Sequence, residues 1–411
     1  MRQDTRQAQN RATSTTRSGD AGLLRRLNLS AAVKAFLTAE SLTVGDLRSA
    51  IGVSRPTAEE LLNALLEEGF VREAPGPPKV DRSAGRPARH YGVAAENFNV
   101  VGVDIGAHKV AVIICDLRGE VVSLRKRDVD PALGAAERID AAARLMEATL
   151  RQARMGRERV RSVACGITGA VTDGSSVKDV RTLSAGRDLN VYSLPGFDRI
   201  DVVAEVSARF RSDVLVANDI HLAAVAEQWR GAAAGARDLV YIHAGRRIGS
   251  AIVIDGRIHN GRHGLAASVG SLKMLGWPEA MSELDRESRR LAGPTTGEST
   301  GESTGEGVRA LFEAATTGDP AAMRTVDVLA EALALGASTL VHAIDPDLVV
   351  LGGGLSRTGE VLAAPFRRHL AATSFDPPEF RVSLLGDESV ALGAARLALD
   401  DIESRLLGGQ T

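Results

Sequence analysis

Apolar residues recur along this chain with two periods, and the switch between them divides it. In residues 29–66 they fall three and four apart. Leu29, Val33, Phe36 and Leu37 share one helical face, Val44, Leu47, Ala50 and Ile51 a second, and Leu61, Leu62, Leu65 and Leu66 a third. Thr43 and Ser54 stand where helix N-caps belong, Gly52 makes the turn between them, and Pro56 sits in the first turn of the third helix. Gly69 stops that helix and Phe70-Val71 begins a strand. Three short helices followed by a hairpin predict a winged helix-turn-helix over residues 21–93.

From residue 94 onward, apolar runs of strand length alternate with helical periods, the pattern of an α/β fold. Strands are predicted at 100–104, 111–116, 120–124, 160–167, 239–242 and 248–254, with others opening the stretches at 214 and 348. Helices are predicted at 132–155, 194–210, 277–291, 308–316, 321–344, 361–372 and 390–405, and after Asn218-Asp219 as far as Arg230. Asp255-Gly256 reads as a tight hairpin turn. Residues 293–307, GPTTGESTGESTGEG, contain no large apolar side chain, so the tandem GEST units predict a flexible loop. Residues 1–20, rich in Arg, Gln, Ser and Thr, read as a disordered, slightly basic arm.

Composition narrows the picture. A chain of 411 residues with 44% hydrophobic and 25% charged residues is that of a globular protein with more than one domain. Aromatics are only 3%, so the cores must be built from Ala, Val, Leu and Ile. No apolar run approaches membrane-spanning length and the first residues lack a signal-peptide core, which predicts a cytoplasmic protein with no membrane partner. Cys115 and Cys165 lie in apolar strand-like segments and read as buried free thiols. Net charge is −2, yet residues 1–100 carry 14 Lys/Arg against 11 Asp/Glu. That asymmetry is mild, so the case for DNA rests on pattern rather than on bulk charge.

In that pattern Ser54, Arg55 and Thr57 form the exposed first turn of the third helix. There a side chain can enter the major groove and Arg can read guanine bidentately. The wing returns through Gly85-Arg86-Pro87-Ala88-Arg89, placing Arg86 and Arg89 to lie in the minor groove. The same module could serve protein contact instead. Glu59 and Glu60 follow the reading turn and repel phosphate, although a glutamate also accepts from cytosine N4.

Four stretches carry the rest: NVVGVDIGAHKVAVIICDLRGE at 99–120, VLVANDIHLAAVAEQWR at 214–230, DLVYIHAGRRIGSAIVIDGRIHNGRHGLAASVGS at 238–271 and LVVLGGGLS at 348–356. Their order and character resemble the ROK family, the repressors and sugar kinases of the actin-like ATPase superfamily. The resemblance spans roughly residues 23–399 and implies a two-lobed actin-like ATPase (ribonuclease H-like) domain with a central cleft over residues 94–411.

The resemblance also implies roles. Asp219, beside Asn218, matches the general base for a sugar hydroxyl. Asp104 and Gly106 match the first phosphate turn, Gly245 the second, and Gly353 the adenosine turn. Gly169 joins Asn218, Asp219, Arg246, Arg247, Ser268 and Ser271 as expected ligand-binding residues. Several positions depart from the family. Ala107-His108 stands in place of Gly-Thr, and Arg246-Arg247 follows Gly245 in place of a small hydroxyl residue and glycine. Ser268 replaces a glutamate that grips sugar hydroxyls, Ser271 replaces a histidine that binds sugar and zinc, and the cysteine-rich zinc loop is missing. His259 and His263 read as scattered surface residues.

The expectation is therefore a DNA-binding transcriptional regulator, a repressor, with weak or no kinase activity. It would sense a sugar-like or phosphosugar ligand and act as a homodimer or homotetramer on an operator with a two-fold repeat. Zinc is not expected, and ATP binding is in doubt. Arg246 and Arg247 either lie solvated or hold a phosphorylated or acidic sugar in the space ATP vacated. A working sugar kinase fused to a winged helix, favoured by Asp219, and a regulator that has lost its ligand are the alternatives.

Overall fold

The computed structural model describes Gly22 and residues 24–76, 88–169, 171–172, 176–177, 194–293 and 301–406. The expected arm at 1–20, the wing tip as far as Pro87 (Arg86 included) and residues 294–300 of the GEST stretch lie outside the described residues.

The N-terminal module comprises α1 (24–38), α2 (Val44–Ile51), α3 (Arg55–Glu67) and an antiparallel hairpin of β1 (Val71–Ala74) and β2 (His90–Val93). Local chemistry fixes its turns. Thr43 caps α2 reciprocally with Asp46: Asp46 N donates to Thr43 Oγ1 at 3.1 Å while Thr43 N donates to Asp46 Oδ2 at 2.9 Å. Losing such a cap costs about 1 kcal/mol. Gly52 then turns left-handed at φ 68°. Val33, Phe36, Leu47, Leu61, Leu62 and Leu65 are buried together, but Ala50, expected inward, is exposed. A two-turn helix buries one residue here, Leu47, and Ala50 falls beyond its reach.

The first lobe contains β3 (Asn99–Ile105), β4 (Lys109–Asp116), β5 (Val121–Asp128), α4 (Ala135–Gln152), β6 (Val160–Ile167), the two-residue pair β7 (Val171–Thr172) and β8 (Ser176–Val177), α5 (Val202–Phe210), β9 (Val214–Asn218) and α6 (Asp219–Arg230). Its sheet runs β5-β4-β3-β6-β9; β3 to β5 are antiparallel, and β3, β6 and β9 parallel. Every residue of β3 is buried, as a central strand covered on both faces must be. β5 runs on past the predicted 124 through Arg125, Lys126 and Arg127, the charged sequence of an exposed edge. The helix expected from 194 is interrupted. A 3-10 turn at Phe197–Arg199 ends before Asp201, whose carboxylate accepts from Ala204 N at 3.0 Å and starts α5 afresh.

The second lobe repeats the plan: β10 (Leu239–Ala244), β11 (Ile248–Ile254), β12 (Arg257–Ile258), α7 (Trp277–Ala292), α8 (Gly301–Thr316), α9 (Pro320–Ile344), β13 (Leu348–Gly352), α10 (Glu360–Thr373) and β14 (Glu379–Val382). After it α11 (Ser389–Leu406) returns to pack on β3 and β6 of the first lobe, where a Cβ on Gly102 would lie 2.1 Å from Ala391 O. Its sheet order is β12-β11-β10-β13-β14, again three antiparallel strands followed by parallel ones. The flexible loop expected over 293–307 is corrected in its second half, because residues 301–307 are the opening turns of α8. Leu311, Phe312 and Ala315 anchor that helix in the core, and at Gly307 it passes so close to α7 that a Cβ would lie 2.8 Å from Ser288 O. α9 has the length and hydropathy of a membrane span, contrary to the sequence expectation, but more than half of it is buried inside this lobe.

One apolar core is continuous from Phe36 and Leu62 through Ala224 and Ala395 to Tyr241 and Val350, joining the winged helix to both lobes. Two further cores fill the outer face of each sheet. With so few aromatic residues, helices meet almost backbone to backbone. A Cβ on Gly393 of α11 would stand 1.8 Å from Leu222 O of α6.

Candidate functional site

Of the turn expected to read DNA, Ser54 and Arg55 are exposed and Thr57 is half-buried. Ser54 caps α3, its Oγ 2.8 Å from Thr57 Oγ1, so both hydroxyls are engaged in holding the turn. Arg55 extends into solvent and lies along Glu59 at 2.9 Å, both half or more exposed. Such an exposed pair contributes little to stability and can exchange for a nucleic-acid contact. Arg89, at the return of the wing, lies 3.9 Å from Glu73.

In the second part, five loops converge between the lobes. Asn218 caps α6 by accepting from Ile220 N and His221 N, and its Nδ2 donates to Gly169 O at 2.8 Å. Asn218 and Gly169, both singled out in the sequence, are thus in contact. Asp219 begins the helix and accepts from Thr168 Oγ1 at 2.6 Å. Burial pushes its carboxyl up to about 6, against the pull of that hydrogen bond and of the Arg247 charge.

The first phosphate turn, between β3 and β4, holds Asp104 at 4% exposure. Burial raises this carboxyl to about 7, opposed by Lys109 at 3.7 Å. Lys109 also donates to Asp387 O at 2.6 Å and lies 3.7 Å from its carboxylate, so one ammonium serves two acids, one on β3 and one in the turn before α11. Gly106 N donates back to Lys109 O at 3.0 Å, closing the turn.

The second phosphate turn closes in the same way, Gly245 N to Arg247 O at 3.1 Å. Arg246 is exposed and Arg247 half-buried. The NH1 of Arg246 lies 3.0 Å from His108 Nδ1, joining the two phosphate turns to each other. Burial, then the charges of Arg246 and Arg247, lower the His108 pKa, so the ring is neutral and accepts from the guanidinium. Arg247 is half-buried and its charge reaches Asp219. Gly353 takes φ +85° with its Cα against β10, where a Cβ would be 2.4 Å from Ala244 O. Close packing of β13 on β10 is enough to require glycine there.

Ser268 is exposed, and Ser271 Oγ folds back to donate to Ser268 O at 2.9 Å. Two hydroxyls, one spent on the local turn, do not fit zinc, which takes thiolate, imidazole or carboxylate. His259 is exposed as expected, whereas His263 is half-buried with its Nδ1 enclosed. Both cysteines are buried and free.

Sequence reasoning passed over Arg138. It is fully buried on α4 and donates to Gly106 O and Ala107 O at 2.7 Å, and to Asp130 O, Pro131 O and Leu133 O at 3.1–3.2 Å. This guanidinium clamps the first phosphate turn from behind. The one available signal was its place on the apolar face of a helix, three residues before Ala141 and one before Ile139. Lys109 and Asp387 were also missed.

Comparison with known proteins agrees with this geometry. The ROK family model matches residues 100–284 and 295–401, and the IclR helix-turn-helix domain model matches residues 33–75. A glucokinase of Halalkalibacterium halodurans is 25% identical over 334 residues, covering 76% of this chain and 98% of its own. A xylose repressor of Caldicellulosiruptor bescii is 21% identical over 407 residues, covering 94% of this chain and 98% of its own. Among solved structures, a ROK family transcriptional regulator, a homologue of the E. coli MLC protein, superposes with a TM-score of 0.68 at 19% identity, covering 94% of this chain and all of that one. With the family model matched over most of its length and the two-lobed fold in place, this chain belongs to the ROK family.

Proposed function

We propose that this protein is a DNA-binding transcriptional regulator, a repressor, whose ROK domain senses a sugar-like ligand and no longer works as a kinase. One observation carries the reading. A winged helix with an exposed reading turn is joined by a continuous core to a ROK domain whose two phosphate turns are tied together by Arg246 and His108. A nucleotide's phosphates need those backbone amides clear of side chains. Here the passage between them is crossed, and Asp104, the acid of the first turn, is matched by Lys109. This arrangement supports a domain that does not take ATP. The remaining cleft, with Asn218, Asp219, Gly169 and the half-buried Arg247, offers hydrogen-bond acceptors and one positive field to a sugar-like or phosphosugar effector. A xylose repressor among the relatives supports the same reading.

A dimer on a two-fold repeated operator is the expected assembly, because one winged helix covers a single half-site. The test is fluorescence anisotropy of the purified chain on DNA from its own upstream region, with and without a panel of neutral, phosphorylated and acidic sugars. Specific binding relieved by one member is expected. Absence of sequence preference over random duplex would refute the regulator.

One observation favours a second reading. A carboxyl raised to about 6 at the head of α6 is poised for general-base work near neutral pH. ADP release from ATP on addition of any simple sugar, lost in Asp219→Asn, would establish the kinase instead.

A further inference from the structure

Away from the phosphate turns, a cavity of about 680 Å³ runs along α6 where the edge strands of the two sheets, β9 and β12, approach each other. Its volume suits a small organic molecule. Val225, Ile258 and Leu397 give it an apolar floor, Trp229 one end, and Arg257 and Arg262 a rim. Asp104, Asp219, Arg246 and Arg247 take no part in it, and of the residues placed in the sugar cleft only Asn218, at the head of α6, also lines it. Gly264 closes it on the side of the sugar cleft, pressed against β7 so tightly that a Cβ would meet Val171 O at 2.1 Å.

Its charges do not cancel. Arg396, which also borders the cavity, is neutralised within the fold by Asp400 and Glu403. The side chains of Arg257 and Arg262 are exposed and form no hydrogen bond or ion pair among the described residues. His221 lines the wall, and burial lowers its pKa to about 4, so it adds no charge at neutral pH. Two uncommitted guanidiniums above an apolar floor complement an anion carried on an apolar body.

Trp229 also touches what lies beyond the cavity. The turn between β4 and β5 packs on the indole: a Cβ on Gly119 would be 2.2 Å from the ring. Arg230 stacks over the same ring at 4.6 Å and donates to Arg118 O at 3.3 Å and Glu120 Oε1 at 2.8 Å. In the same turn, Arg118 NH2 reaches Ala39 O and Glu40 O, both at 3.4 Å, just past the end of α1. Glu40 O in turn backs onto Gly92 of β2.

We propose that this cavity is a second effector site, taking a small organic anion with an apolar ring or chain, and that Trp229 and the Arg118 turn transmit its occupancy to the winged helix. The transmission half rests on the DNA-binding reading above; the binding half does not. Adjacency alone does not make coupling, so operator affinity must change with occupancy.

The experiment titrates the full chain with benzoate and phenyl phosphate, and with neutral benzyl alcohol as control. The readout is tryptophan fluorescence, in which the buried Trp277 supplies a constant background. A saturable change with an anion and none with the alcohol is expected, weakened about tenfold or more in Arg257→Ala/Arg262→Ala. No saturable response to either anion, an equal response to the alcohol, or an undiminished response in the double variant overturns the site. Operator affinity should shift about fivefold or more at saturation. Arg118→Ala should keep the fluorescence response and lose that shift. An unchanged operator affinity in the wild type overturns the transmission. A chain that gives the fluorescence response but binds no DNA under any condition refutes the DNA-binding reading and, with it, the transmission, while the binding half stands.

Discussion

Replacing Arg138 with methionine tests whether the first phosphate turn is held by buried chemistry rather than by local turn propensity. The guanidinium is fully buried and satisfies five backbone carbonyls drawn from two segments, 106–107 and 130–133. Hydrogen bonds from a charged donor contribute about 1.5–3 kcal/mol each, but they do not add, and methionine also relieves the cost of burying the charge. Stranding several carbonyls therefore leaves a net loss of about 3–5 kcal/mol. For a domain of this size about 1.5–2 °C of Tm accompanies each kcal/mol, which puts the expected drop at roughly 5–10 °C. Lysine at the same position keeps the charge without the fork and should recover only part of the loss. Hydrogen exchange should locate the damage, with protection falling at 106–109 and 130–134 before the rest of the lobe. If Arg138→Met melts within about 2 °C of the wild type and exchange is unchanged at those segments, the clamp is not what positions the turn.

Three other outcomes are expected. Arg55→Ala should weaken operator binding by about 1–3 kcal/mol and relax preference at one base pair, read by anisotropy on a set of single-substituted operators; uniform weakening would assign Arg55 to phosphate instead. Because burial raises Asp104 to about 7, the folded state holds that proton more tightly than the unfolded chain. Its stabilising contribution is therefore complete at acid pH and is lost as pH rises from about 4 through 7, at up to about 1.4 kcal/mol per unit. Asp104→Asn should flatten the corresponding fall in Tm between about pH 4 and 7, and parallel curves would refute the assignment. Gly353→Ala must place a methyl 2.4 Å from Ala244 O at a positive φ, and a loss of about 2–4 kcal/mol in denaturant melts is expected; an unperturbed variant would show that β13 can shift.

What could be read from the sequence was what short-range pattern carries. β11 was legible to the residue because Ile248–Ile254 is an apolar run ended by Asp255-Gly256, both of which adopt positive φ. β5 was cut short because its second half is charged and becomes a strand only through pairing with β4. The helical turns at 301–307 were hidden by glycine and serine, whose weak propensity is overridden once Leu311 and Phe312 anchor the helix. In the site, Asn218 and Gly169 could be singled out one by one, but not the bond between them. The larger misses, Arg138 under the turn and Lys109 between Asp104 and Asp387, each combine local contacts with ones made over long sequence separations, Arg138 to Gly106 O and Lys109 to Asp387 O. In each case a polar residue looks like ordinary solvated surface until the fold encloses it. Arg246 could be singled out, but not its contact with His108, 138 positions away.

The bond between Arg246 and His108 has a consequence for what kind of instrument this domain is. A sugar kinase must open its phosphate passage at every turnover, and its output is a rate that depends on how much substrate it destroys. On the non-kinase reading proposed above, that passage stays bridged, so the free energy of ligand binding has no chemical outlet and goes into biasing how the lobes sit. Such a domain measures the level of its ligand without drawing it down, and it answers at equilibrium. The bridge also sets a boundary on that measurement. It depends on a neutral imidazole with a lone pair to offer, which burial and the neighbouring arginines maintain by lowering the His108 pKa. Acid strong enough to protonate the ring would turn the clasp into a repulsion between two cations, and the gauge would lose its zero.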